Sequence, residues 1–97
     1  MKMKVDTLIG SALNYAVSVA HDVEGLAPVA YSTHWQFGGP IIEQIGISLS
    51  QGNQGGWYAS YRGEEFHAET PLVAAMRCYV FHTLGDDIEV PSEFTSK

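Results

Sequence analysis

Apolar residues recur at helical spacing in two stretches of this chain and alternate in a third stretch between them. Leu8, Ala12, Tyr15, Ala16 and Val19 form one row, and Ile9, Leu13, Val17 and Ala20 form an adjacent one. That pattern predicts a helix over residues 7–23. Asp6 or Thr7 is placed to cap it, and Gly25 to stop it. Periodicity then lapses over 26–40, where Pro28, Gly38, Gly39 and Pro40 mark a loop. Pro40 suits the first turn of a short helix over 40–45, because its missing amide proton would lack a partner there. Gly46 ends that helix.

Ile47, Leu49 and Gln51 alternate with Ser48 and Ser50, which is strand behaviour. The loop Gly52-Asn53-Gln54-Gly55-Gly56 predicts a hairpin over 47–62. Trp57, Ala59 and Tyr61 fall on one face of the return strand, with Tyr58, Ser60 and Arg62 on the other. Gly63 marks a turn, and residues 65–68 add a short third strand. Thr70-Pro71 is a strong helix start for 71–84. Leu72, Ala75, Met76, Tyr79, Val80 and Thr83 fill one face of that helix. Val73, Ala74, Cys78 and Phe81 fill much of the rest, so it is heavily buried. Gly85 closes it, and Ile88, Val90 and Phe94 anchor a tail over 85–97. A sheet this small needs apolar cover. The expectation is an α+β fold: a small antiparallel two- to three-stranded sheet packed with an N-terminal and a C-terminal helix, like an α-β-α sandwich, in one domain over 1–97.

Composition narrows the function. The chain has 97 residues, enough for one modest core, and a hydrophobic fraction of 45%. Five Lys and Arg stand against eleven Asp and Glu, for a net charge of −6. Duplex nucleic acid needs clustered cations and is not an expected partner. A small anion remains open, since one or two Arg and some backbone amides suffice. The single cysteine, Cys78, permits no intrachain disulfide and points to a reducing compartment. No apolar stretch reaches the ~18 residues of a membrane span. The basic start lacks the apolar segment of a signal peptide.

The densest chemistry is Tyr31-Ser32-Thr33-His34-Trp35-Gln36-Phe37-Gly38-Gly39-Pro40-Ile41-Ile42-Glu43. These rings either plug the edge of the core, the plainer reading, or form a pocket. In a pocket built on this run, Gly38 and Pro40 included, Tyr31, His34 and Trp35 offer ring faces, and the amides around Gly39 to Ile42 face an anion at the helix start. Gly-Gly-Pro lacks the spacing of a phosphate-loop motif. Arg77 lies in a nearly all-apolar helix. It is read first as an internal ion pair, with Glu43 as one partner, or as a stem that snorkels to the edge, and second as an anion ligand. His21, His34, His67 and His82 are scattered, so no metal site is expected. Glu64-Glu65 and Asp86-Asp87 are adjacent pairs whose side chains diverge, so they read as solvated charge and not as a catalytic dyad. No nucleophile motif assembles, and neither catalytic residues nor a cofactor is expected.

Three collinear motifs resemble a known family. They are Thr7-Leu8-Ile9-Gly10 with Ala12-Leu13-Asn14-Tyr15-Ala16-Val17, the aromatic run 31–43, and Thr70-Pro71-Leu72-Val73-Ala74-Ala75-Met76-Arg77-Cys78-Tyr79-Val80 with Leu84-Gly85-Asp86. Together they resemble the NinX-like proteins of lambdoid phages over nearly the whole chain. Where such proteins typically carry Asp before the tryptophan, this sequence has His34. The resemblance implies a phage accessory protein and no transferable activity. The expectation is a non-enzymatic, homo-oligomeric binding protein in the host cytoplasm that acts on a host process, counter-defence included, through a host protein. The alternative is sequestration of a small anionic ligand, such as a nucleotide-derived signal, near Trp35. Two apolar rows on each helix exceed what a small sheet covers, which motivates the homo-oligomer.

Overall fold

The computed structural model describes residues 1–21 and 29–94. In chain order its elements are β1 (Lys2–Lys4), α1 (Gly10–Ala20), α2 (Trp35–Ile45), β2 (Ser48–Gln51), β3 (Trp57–Tyr61), β4 (Glu64–Ala68), α3 (Pro71–Leu84) and β5 (Asp87–Glu89). Single 3-10 turns cover Val5–Thr7 and Ser92–Phe94.

The α+β class is the one expected. β2, β3 and β4 form an antiparallel sheet in that order, with Leu49 opposite Ala59 and Ala59 opposite Phe66. The β3–β4 turn is Arg62-Gly63, both at positive φ (53° and 88°), as a two-residue hairpin of right-handed strands requires. The helices cover one face of this sheet, not both. α3 packs on all three strands, and α1 lies against α3. The opposite face carries Ser48, Ser50, Tyr58, Glu65 and His67, all exposed.

α3 follows its sequence pattern closely. Thr70 Oγ1 accepts from the Val73 amide at 3.2 Å, Pro71 takes the first helical position, and the Gly85 amide closes the last turn on the Phe81 carbonyl. Being sandwiched, α3 is apolar nearly all round. Ala74, Ala75, Met76, Cys78 and Val80 are fully buried, and a large side chain of this kind stabilises by roughly 1.5–3 kcal/mol. Burial also pushes the Cys78 thiol up to about 11.

Three expectations need correcting. The first helix begins at Gly10, not residue 7. Gly10 sits at φ 60°, which marks a turn into the helix, and Leu8 and the extended Ile9 precede it. Thr7 therefore caps nothing in α1; its Oγ1 donates to the Lys4 carbonyl. The expected stop at Gly25 lies outside the described residues, as do residues 26–28 of the expected loop.

The second helix begins at Trp35, not Pro40, so Gly38-Gly39-Pro40 is helix interior. Pro40 deprives the Gln36 carbonyl of its helical donor, and both residues are exposed, so that carbonyl is open to solvent. Gly46 ends α2 in the left-handed conformation, as expected.

Finally, the basic start and the expected tail pair with each other in a second sheet. β1 pairs antiparallel with β5, Met3 opposite Ile88. Lys4 lies 2.9 Å from Asp87 and 3.3 Å from Asp86. That pairing holds the Asp87 carboxyl below its usual range.

Candidate functional site

The first turns of all three helices line one groove of about 490 Å³. Ile9 and Gly10 line it at the start of α1, Trp35 and the preceding Thr33 at the start of α2, and Thr70, Pro71, Leu72 and Val73 at the start of α3. Its walls are mainly apolar and none of these residues is charged. Trp35 is 53% exposed and Ile9 64%.

Besides the hydroxyl side chains of Ser32, Thr33 and Thr70, the groove's polar groups are backbone. A helix start leaves its first amide protons without intrahelical partners, and its macrodipole places about half a positive charge there. Neither Ile9 nor His34 provides a side-chain cap for α1 or α2. In α2 the Phe37 and Gly38 amides bond to the His34 carbonyl, which leaves those of Trp35 and Gln36. The amides left over at the start of α2 are thus those of Trp35 and Gln36, whereas Gly39 to Ile42 lie inside the helix. In α3, Thr70 engages Val73 and proline has no proton, so the Leu72 amide remains.

The groove has a fixed back wall. Ser32 is 2% exposed, and both its amide and its hydroxyl donate to Asn14 Oδ1, at 2.9 and 2.8 Å. One α1 side chain thereby pins the loop that leads into α2. Tyr31 packs beside it, 6% exposed, with its ring edge-on to His21. The phenol of Tyr79 lies 3.3 Å from His21 Nδ1, and burial raises its pKa.

The sequence candidates therefore separate. Trp35 is an open ring at the groove and not a core plug. Tyr31 is the ring that fills the core. His34 is exposed beside the groove, 2.9 Å from the Thr33 hydroxyl. Gly38 is buried where α2 meets the loop and α3: a Cβ there would sit 2.5 Å from the Tyr31 carbonyl oxygen and 2.7 Å from Leu72 Cδ2. Gly39 lies near the Trp35 ring, and Pro40 is exposed. Arg77 is not in the groove and does not pair with Glu43. Its Nε donates to the Leu8 carbonyl at 2.8 Å and its Nη1 to the His67 carbonyl at 3.1 Å. Burial lowers its pKa while Asp6 opposes that shift. Arg77 is a clamp between the segment before α1 and the end of β4.

Among the described residues no group of three or more His, Cys, Asp or Glu could hold a metal ion. A larger hollow of about 520 Å³ lies under the hairpin loop, where Gln51, Asn53 and Gln54 fold over the Tyr58–His67 ring pair. Its walls are polar and it has no helix start.

A search of curated proteins finds no match to the chain. The sequence model of a phage family, Bacteriophage P22, NinX, matches residues 25–83. That stretch contains α2, the three-stranded sheet and α3 up to its penultimate residue, and hence two of the three helix starts at the groove. With more than half of its length matched in this way, the chain belongs to the Bacteriophage P22, NinX family.

Proposed function

We propose that this phage protein is a non-enzymatic accessory binding protein of the host cytoplasm, self-associated, whose groove captures a small anionic ligand with a flat apolar part. The meeting of three helix starts around the exposed Trp35 ring is the observation that carries this reading. The ring offers a stacking surface, and the unpaired amides and dipoles favour negative charge. A nucleotide-derived molecule has both parts, and the groove's volume is in the range of small-molecule sites. The net charge of −6 does not oppose it locally, because no carboxylate lines the groove.

A second reading is that the groove docks a host protein, an interaction through which the protein would alter a host process. It is favoured by the apolar surface that Ile9, Trp35 and Phe37 leave exposed.

Native mass spectrometry of the protein from infected cells separates the two. The first reading expects a retained mass of roughly a few hundred daltons that disappears on denaturation. Trp35→Ala, at a half-exposed position, is expected to keep its melting temperature and lose that mass. An adduct that persists in Trp35→Ala would put the ligand elsewhere. A co-purifying host protein lost in the same variant would favour the second reading.

A further inference from the structure

The two outer strands of the three-stranded sheet differ in a way that bears on self-association. Edge strands are commonly guarded by charge, proline or a bulge. β4 is guarded: Glu64 and Glu65 carry negative charge, and Arg77 already occupies the outward His67 carbonyl. β2, which reads Ser48-Leu49-Ser50-Gln51, has no charge, no proline and no bulge.

The register shows what β2 leaves open. The Gly52 amide bonds to the Gly56 carbonyl, so Ser50 and Ser48 also hydrogen-bond inward to β3. Leu49 and Gln51 must then turn their amide and carbonyl groups outward. Among the described residues nothing accepts those amides or donates to those carbonyls. The Ile47 amide is taken by the Ile42 carbonyl at the end of α2, and among the described residues nothing donates to the Ile47 carbonyl. Half-buried Ile42, Ile45 and Leu49 supply apolar surface beside this edge.

We infer that β2 is a self-pairing edge, where a second copy of this chain adds its own β2 antiparallel across a two-fold axis through Leu49. This rests on the self-association proposed above. In this register the two Leu49 residues exchange amide–carbonyl bonds, and each Gln51 amide reaches the second copy's Ile47 carbonyl. Residues directly opposite share a face, so Ser48 of one copy faces Ser50 of the other on the open side. Leu49 stays on the side of α3, and two three-stranded sheets become one. A two-fold axis needs a self-complementary surface, and this short neutral strand provides one.

The register can be tested by charge. Light scattering of the full-length chain at tens of micromolar, in the range that standard-size interfaces hold, is expected to give a dimer. The Ser48→Asp/Ser50→Asp variant sets like charges opposite one another on both sides of the axis. It is expected to weaken association by roughly tenfold or more with an unchanged circular dichroism spectrum. Ser48→Lys/Ser50→Asp sets opposite charges in the same places and is expected to restore the dimer. A monomeric wild type would overturn both the self-association and this edge. A dimer indifferent to the all-acid variant would overturn the edge alone, and a failed rescue would overturn the register. Amide exchange of the wild type needs no variant. The Leu49 and Gln51 amides are expected to slow with protein concentration while that of Ser50 stays slow throughout. Fast exchange of Leu49 and Gln51 in the oligomer would refute the pairing.

Discussion

Asn14 shows how much can rest on one side chain. Its Oδ1 accepts both hydrogen bonds of a nearly inaccessible serine, and that serine sits directly behind the groove. Asn14→Ala leaves the Ser32 amide and hydroxyl buried without a partner, at a cost of about 1–3 kcal/mol. Chemical denaturation is expected to show that loss, and groove binding is expected to weaken with it. A variant with wild-type stability would mean that Ser32 finds other partners. Trp35 is the complementary case, where truncation spares the fold because half the ring is already in water. Neither role could be told from the sequence. Trp35 stood out there by its aromatic neighbourhood, but whether it was core or surface depended on α2 beginning at Trp35. Asn14 gave no signal at all, since a polar residue among two apolar rows reads as an exposed helix position.

At the scale of elements, adjacent glycines in α2 have opposite roles. The hydrogen in place of a side chain at Gly38 lets α2 approach the Tyr31 carbonyl, a backbone atom that cannot step aside. Gly38→Ala is expected to cost about 1–3 kcal/mol through this overpacking. Gly39→Ala meets only the edge of the Trp35 ring at 3.7 Å and is expected to be neutral or to stabilise by up to about 1 kcal/mol through helix propensity. Thermal melts of the two variants test the contrast, and equal destabilisation would contradict it. The same residues explain why the start of α2 was not legible. Gly-Gly-Pro is a strong local break signal, and tertiary packing of Gly38 and Ile41 overrides it. α3 and the hairpin were legible because cap, period and turn residues all agree locally. The β1–β5 sheet was not, because three-residue strands joined across the whole chain leave no periodic trace. The groove was half legible for a related reason: its α2 part is one sequence motif, but α1 and α3 join it only in three dimensions.

On the scale of the whole molecule, the groove is assembled from residues near 10, 33 and 71. No single helix contains it, and it disappears when any one helix detaches. Occupancy is therefore a thermodynamic weight on the native state, since a ligand that fits only the assembled groove has no affinity for the unfolded chain. At a hundredfold excess over its Kd such a ligand adds about 2.7 kcal/mol to the unfolding free energy. In a domain of this size each kcal/mol raises the melting temperature by roughly 4–8 °C. A panel of nucleotides and other small anions can thus be screened by heat alone, with Trp35→Ala as the control that should melt at one temperature whatever is added. Lysate fractions that delay melting of the wild type and not of that control would lead to the natural ligand before its chemistry is known.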